Sequence, residues 1–332
     1  LAEFANGWLY EAGIGENRAL RLENGELAQV RVERVDGRVR PGAVVDAKFT
    51  RQWVAGKSGI VALPDGQEAL LQPLPKGLTE GAKLRVAIVR AAMTERGGQA
   101  KRAKAQPVPE ESPLGDGPDL LAELEASGLP VRQLYAHDED LLAQHGWHEA
   151  LEQAETGQID FDGGRLLVSL TPAMTLIDVD GPLAPFELAK RAAREIALAL
   201  VRFDIGGNIG VDFPTLQAKT ERAAVTAIFD DHMTANCERT AINGFGFLQI
   251  VSRKTRPSVP EMLQASRATN AALKLLRQAE RDRGTGDLRL AGHPAVANRL
   301  TPELLAELAK RTGRTPSLEA QADISIDGGS VA

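Results

Sequence analysis

Residues 165–213 read RLLVSLTPAMTLIDVDGPLAPFELAKRAAREIALALVRFDIGGNIGVDF, and the fold class turns on how this stretch divides. Two short apolar runs, one ending at Asp180 and the other at Asp212, flank a long helical pattern. Within that pattern Phe186, Ala189, Ala193, Ile196, Ala197 and Leu200 recur at helical spacing, and Glu187, Lys190, Arg191 and Arg194 fall opposite. This spacing predicts an amphipathic helix between two strands. A strand–helix–strand unit implies parallel strands joined by a right-handed crossover. Parallel strands bring their C-terminal ends to one edge, where open α/β sheets place their sites.

The side-chain alternation sharpens the expectation. On the first strand Leu176, Asp178 and Asp180 share a face, with Ile177 and Val179 on the other. On the second, Ile209, Val211 and Phe213 share a face and Gly210 lies beside Asp212, leaving room there. Two or three carboxylates can therefore converge with no basic residue in the local sequence to neutralise them. Clustered like charges are costly, and a bound cation relieves the cost. Oxygen ligands without nearby Cys or His point to Mg²⁺ or Mn²⁺. The same spacing also fits solvated aspartates at strand ends.

The runs TLIDVDG (175–181), AAREIALALVRFDIGGNIGVDF (192–213) and INGFGFLQIVSRKTRPS (242–258) resemble the ribonuclease E/G family. The resemblance implies a DNase I-like nuclease core with a magnesium ion held by Asp178 and Asp212 as the catalytic pair. Asp180 stands where the family usually has Asn, which implies a supporting metal ligand or an orienting group. The implied reaction is hydrolysis of single-stranded RNA to 5′-phosphate and 3′-hydroxyl ends.

Toward the N-terminus, residues 6–38 read as a β-meander with a hairpin turn at Asn24-Gly25. Trp8 and Tyr10 are expected in its sheet. Residues 39–105 hold short apolar runs separated by Gly and Pro turns, the pattern of a small barrel. In the family this position holds an OB-type RNA-binding barrel, which grips single strands with stacking aromatics and basic groups. Ile60 and Ala69 or Leu70 stand where the family tends to have Phe, so Phe49 and Trp53 remain as candidate platforms. Gly56-Lys57-Ser58 lacks the rest of a phosphate loop and reads as a hairpin turn. Arg90, Arg96, Lys101, Arg102 and Lys104 form a basic run opposed only by Glu95; it suits phosphate contact or a solvated flank equally. The Pro-, Gly- and acid-rich stretch 106–118 reads as a linker.

Several departures from the family pattern follow. No counterpart of its 5′-monophosphate sensor appears after the linker, so cleavage is expected to be indifferent to the 5′ end. His145 and His148 lie three apart on an expected helix, but no carboxylate or Cys framework supports ligation there. The residue before Phe245-Gly246 is Gly244, where the family typically has an Arg that supports the reacting phosphate. Arg239, Arg253, Lys254 and Arg256 are candidates to replace that charge. The cysteine pair that shares zinc between family subunits is absent from 257–270. No structural zinc is therefore expected, and any homo-oligomer is not zinc-linked. Residues 266–332 read as a small α/β domain, with Thr301-Pro302 opening a helix.

The expected class is α/β in an α+β multi-subdomain arrangement. An RNase H-like scaffold (1–38 and 119–164) is interrupted by the OB-type barrel (39–105) and the linker (106–118). The DNase I-like core (165–260) and a C-terminal α/β domain (261–332) follow. A chain of 332 residues with ordinary apolar content supports such a division. No apolar run reaches membrane-spanning length, no secretory signal pattern is seen, and the one cysteine excludes an internal disulfide. A cytoplasmic protein without membrane partners is expected. The net charge of −6 argues against a general nucleic-acid-coating protein but leaves room for a nuclease. The leading reading is an Mg-dependent endoribonuclease with Asp178, Asp212 and Asp180 on the metal. Phe49, Trp53, Lys101, Arg102, Lys104, Arg253, Lys254 and Arg256 are its RNA contacts. The alternatives are a catalytically weak or inactive RNA-binding protein of the same fold, and an interaction protein whose aspartates are surface residues.

Overall fold

The computed structural model describes residues 4–94 and 100–332, so Glu95 and Arg96 of the basic run lie outside it. The chain forms two compact units, one from residues up to 36 with 124–151 and 263–332, the other from 37–123 and 152–262.

In the first unit the expected meander is present. Strands Gly7–Ala12, Glu16–Glu23 and Glu26–Arg34 pair antiparallel, and Val131–Leu134 adds parallel to the first. Asn24 and Gly25 both take positive φ (54° and 83°), the backbone that a tight two-residue hairpin requires. Trp8 and Tyr10 lie in this sheet as expected and are buried, as is Leu9 on the opposite face. The C-terminal part builds a three-stranded sheet from Leu288–Gly292, Pro316–Ala320 and Ser330–Val331. Helices Arg267–Arg281 and Pro302–Thr312 share a core with it through Leu273, Leu276, Leu290 and Leu308. Thr301 caps the second helix by accepting from the Leu304 N–H, with Pro302 in the first turn.

In the second unit, strands Val44–Val54, Ser58–Ala62, Glu68–Leu71, Lys83–Arg90 and Ala103–Pro107 close into a barrel. The first strand pairs with the second and fourth, the third with the second and, in parallel, the fifth, and the fifth with the fourth. This is the closed five-stranded Greek-key order of an OB-like barrel. The segment expected as a linker is strapped to it: Val44 and Gly115 exchange backbone hydrogen bonds, and the Val108 N–H donates to Arg85 O.

The rest of this unit is a mixed six-stranded sheet. Its order runs Gln158–Phe161, Gly164–Leu170, Thr175–Asp180, Gly207–Asp212, Phe247–Ser252, Cys237–Arg239. Thr175–Asp180 and Gly207–Asp212 are parallel neighbours, as the crossover pattern predicts. The crossover helix is Pro185–Arg202, and Ala189, Ala193, Ile196, Ala197 and Leu200 are buried on it. It packs on the sheet face formed by Leu166, Val168, Ile177 and Val179, while helix Lys219–His232 packs on the crossover helix. Helices therefore cover one face of the Thr175–Asp180 strand, and every second residue of that strand, including Asp178, is exposed on the other.

Candidate active site

The exposed face of the mixed sheet carries the acidic residues. Along Thr175–Asp180 burial alternates strictly: Thr175, Ile177 and Val179 are buried, and Leu176, Asp178 and Asp180 are exposed. The parallel register sets Asp178 directly opposite Asp212, both exposed. Neighbouring strands lie about 4.8 Å apart, so the two carboxylates leave one face side by side. Among the described residues neither is ion-paired with an Arg, Lys or His. Two adjacent, unneutralised carboxylates on an open surface fit a hard cation that keeps part of its water shell and takes one or two protein carboxylates.

Asp180 does not complete a cluster of three. Among the described residues no three His, Cys, Asp or Glu side chains stand together as a metal cage. The Gly207–Asp212 strand ends at Asp212, so nothing on it faces Asp180, which lies about 7 Å further along its own strand. Its other neighbour across the sheet is Arg165, whose charge feels both Asp160 and Asp180. The third-ligand role expected of Asp180 is thus not supported by the register.

The space expected beside Asp212 is filled. A Cβ at Gly210 would meet Phe247 Cζ at 2.5 Å and Leu176 Cδ2 at 3.0 Å. Glycine is needed there so that the Phe247 ring can lie on the sheet. Phe247 is the register partner of Asp212, and Leu167 that of Asp178. The acidic pair is therefore flanked on both sides by apolar side chains.

Phe245 precedes the Phe247–Ser252 strand. It sits in the turn there and is 85% exposed. Asn243 builds that turn: its Oδ1 accepts from the Phe245 N–H at 2.9 Å and the Phe247 N–H at 3.0 Å. The Phe213 N–H, next to Asp212, donates to Gly246 O at 3.1 Å, tying the turn to the acidic strand. Gly246 has φ +93°, and a Cβ on it would meet Phe213 O at 2.3 Å.

Residues 119–255 match the model of the Ribonuclease E/G family. Over this segment the chain is similar to the ribonuclease E/G family. The matched segment contains Asp178, Asp212, the crossover helix and the Phe245 turn. Ribonuclease G of Haemophilus influenzae (strain ATCC 51907 / DSM 11121 / KW20 / Rd) is 27% identical over 143 residues, covering 39% of this chain. The chain spans 29% of the length of that curated relative.

The remaining RNA-contact candidates scatter. Phe49 is 1% exposed in the barrel core and offers no stacking surface. Phe49 and Trp53 have the same parity along one strand, so simple alternation puts both on one side. Register shifts between Phe49 and Arg51 and between Gln52 and Val54 break that alternation and leave Trp53 58% exposed. The Arg102 guanidinium lies 5.3 Å from the Trp53 ring centroid, a cation–π contact. Glu68 binds both Arg102 and Arg51 beside it, and those hydrogen bonds hold the Glu68 carboxyl below its ordinary range. Ile60 and Ala69 are buried. Lys101 is exposed, with Nζ donating to Pro172 O at 3.2 Å, and Lys104 is half-buried.

The cations proposed to replace the missing phosphate clamp are placed wrongly for it. Ser252 pairs with Gly207 and Phe247 with Asp212, so Arg253, Lys254 and Arg256 lie at the strand end opposite the acidic pair, about 20 Å away. Lys254 is paired with Glu261, and Arg256 with Glu123 and Asp204. Arg239 is held by Asp230. His145 and His148 do not share a helix: Gly146, at φ +82°, separates helix Leu141–Gln144 from helix Trp147–Thr156. Burial and the nearby Arg277 charge push the His148 pKa down.

Sequence reasoning missed the Asn243 clamp. The signal was the cluster Asn243-Gly244-Phe245-Gly246, whose composition is that of a turn.

Proposed function

We propose that this chain is an endoribonuclease of RNA processing or decay that cleaves single-stranded RNA, with Asp178 and Asp212 jointly holding Mg²⁺ or Mn²⁺. The observation that carries this reading is the in-register, unpaired Asp178–Asp212 couple on the open sheet face, inside the segment that matches the family. When bound, the ion supplies activation of water and neutralisation of charge at the scissile phosphate. Asp178 and Asp212 hold it from adjacent strands whose spacing the backbone ladder fixes. Phe247 and Leu167 flank the couple in register, one on either side. Trp53 and Arg102 offer a stacking and phosphate-binding surface on the barrel. The products are ends bearing 5′-phosphate and 3′-hydroxyl.

On the same reading the six-stranded mixed sheet is a DNase I-like core and the meander an RNase H-like scaffold. The setting is cytoplasmic, and any oligomer is held without shared zinc. Among the described residues no helix is long and apolar enough to cross a membrane.

A gel assay on labelled A/U-rich RNA, with and without Mg²⁺, tests the reading. Asp212→Asn, alone and with Asp178→Asn, is expected to cut the rate at least about 1,000-fold, some 4 kcal/mol of barrier, with the circular dichroism spectrum unchanged. An Asp212→Asn chain as active as the parent sinks the proposal.

A second reading is kept for one observation. A Cβ at Gly244 meets nothing within 4 Å, and the candidate replacement cations are paired or remote. An RNA-binding protein with feeble catalysis accommodates that gap. Tight RNA binding in EDTA with no cleavage in Mg²⁺ selects it.

A further inference from the structure

Phe245 is the most exposed of the large hydrophobic side chains among the described residues; the others reach at most 58%. Single exposed apolar residues are common and need no explanation. This one differs in how it is held. Its own N–H and that of Phe247 are both bound to Asn243 Oδ1, and the Gly246 N–H donates to Asn243 O at 3.2 Å. The Asn243 N–H donates to Phe247 O at 3.0 Å, and Gly246 O accepts from the residue that follows Asp212. A five-residue turn thus spends its polar groups on fixing one aromatic side chain in solvent.

The position of the turn is as informative as its rigidity. Phe247 is the register partner of Asp212, and Phe245 lies two residues before it, no more than about 7 Å further along the chain. The side chain therefore stands just past the C-terminal end of the acidic strand. Gly244 adds no side chain beside it, since a Cβ there would face open space. Rigid aromatic side chains at low entropy cost are what single-strand binding proteins use to stack bases.

We propose that Phe245 is a stacking platform for the unpaired nucleobase flanking the phosphate held at the Asp178–Asp212 couple. It is a positioning residue, and it rests on the ribonuclease reading above. A paired base has its π-face covered by its neighbours in the duplex, so the platform selects single strands at the cleavage site. Every base has a π-face, so the selection tolerates sequence.

The test uses the full chain and a short single-stranded RNA with one mapped cleavage site. Phe245→Ala and Phe245→Leu are expected to raise KM about 5- to 150-fold, the fold-change equivalent of one lost base stack. Little change in kcat is expected, because stacking acts alike on bound substrate and transition state. Phe245→Trp is expected to restore KM. The side chain is exposed, so the variants retain the fold, which circular dichroism verifies. Leu restoring KM as well as Trp reduces the residue to apolar packing and overturns the proposal. So does an Ala variant indistinguishable from the parent, or one that changes only the sedimentation coefficient, which marks a contact between copies. If the parent binds RNA without cutting it, the same ordering is read in Kd. A parent that neither binds nor cleaves single-stranded RNA fails the ribonuclease reading itself, whereas active cleavage with an inert Phe245→Ala fails the stacking proposal alone.

Discussion

Two sets of carboxylates in this molecule meet opposite treatment. In the first unit Glu11 is 5% exposed and accepts hydrogen bonds from Arg18, Arg277 and Arg281 at 2.7–3.2 Å. Arg277 reaches on to both oxygens of Asp140, at 2.7 and 2.8 Å. Burial pushes the Asp140 carboxyl up, but the Arg277 hydrogen bond, the Ala143 N–H and the Arg277 and Arg281 charges outweigh it and hold it at about 2. Burial also pushes the Glu11 carboxyl up, but Arg277, with the Arg18 and Arg281 charges, holds it below its ordinary range. In the second unit Asp178 and Asp212 are exposed, adjacent and unpaired. Glu11 lies on a β-strand, as Asp178 and Asp212 do. In the first set the charge is neutralised internally and serves the architecture; in the second it is left available for a ligand.

That contrast can be broken most forcefully at Arg277. Arg277→Met leaves Glu11 with Arg18 and Arg281, and Asp140 with Arg281; it is expected to lower unfolding free energy by about 3 kcal/mol, because it removes hydrogen bonds between charged groups at a buried site. Asp212→Asn, in the same urea titration, is expected to stay within about 0.5 kcal/mol of the parent. Equal effects would mean that the two acid groups are not different in kind.

The next effect comes from the opposite side. An ion that binds only the folded pair stabilises it by about 2.7 kcal/mol at 100 times its Kd. Titrating Mg²⁺ into the parent is therefore expected to raise Tm, and the Asp178→Asn/Asp212→Asn chain is expected not to respond. An equal response in both locates the bound ion elsewhere.

The smallest effect is acid sensitivity. The Asp140 carboxyl is depressed in the folded state from its ordinary 3.8 to about 2. Its contribution is fully present above about pH 4 and is lost as pH falls through 2. The amount is at most about 2 kcal/mol, reduced further by the partial exposure of the side chain. Urea unfolding between pH 4.5 and 2 is expected to show this slope in the parent and a flatter one in Asp140→Asn.

Much of this organisation was legible in the sequence where a local pattern determined it. The crossover unit follows from alternation before and after a helical stripe, and the parallel pairing of the strands that carry Asp178 and Asp212 follows from that unit. Asn24-Gly25 and Thr301-Pro302 specify a turn and a cap by backbone chemistry within a few residues. What stayed hidden depends on register or on distant pairing. Phe49 and Trp53 share parity, and only the bulges between them separate core from surface. Arg253, Lys254 and Arg256 are near the Phe245 motif in sequence, but an antiparallel strand carries them to the far edge. Glu11 resembles any outward-facing strand glutamate until Arg277 is placed against it.

The span between Glu11 and Arg277, 266 positions, has a temporal side. At elongation rates of about 5–20 residues per second, roughly 13–50 s separate the synthesis of the acid from that of its guanidinium partner. During that interval the nascent meander cannot bury Glu11 cheaply, whereas the crossover unit and the barrel already have all their strands. Ribosome-bound intermediates are thus expected to have a finished barrel and mixed sheet while the meander is still open, and the meander closes only once helix Arg267–Arg281 has emerged.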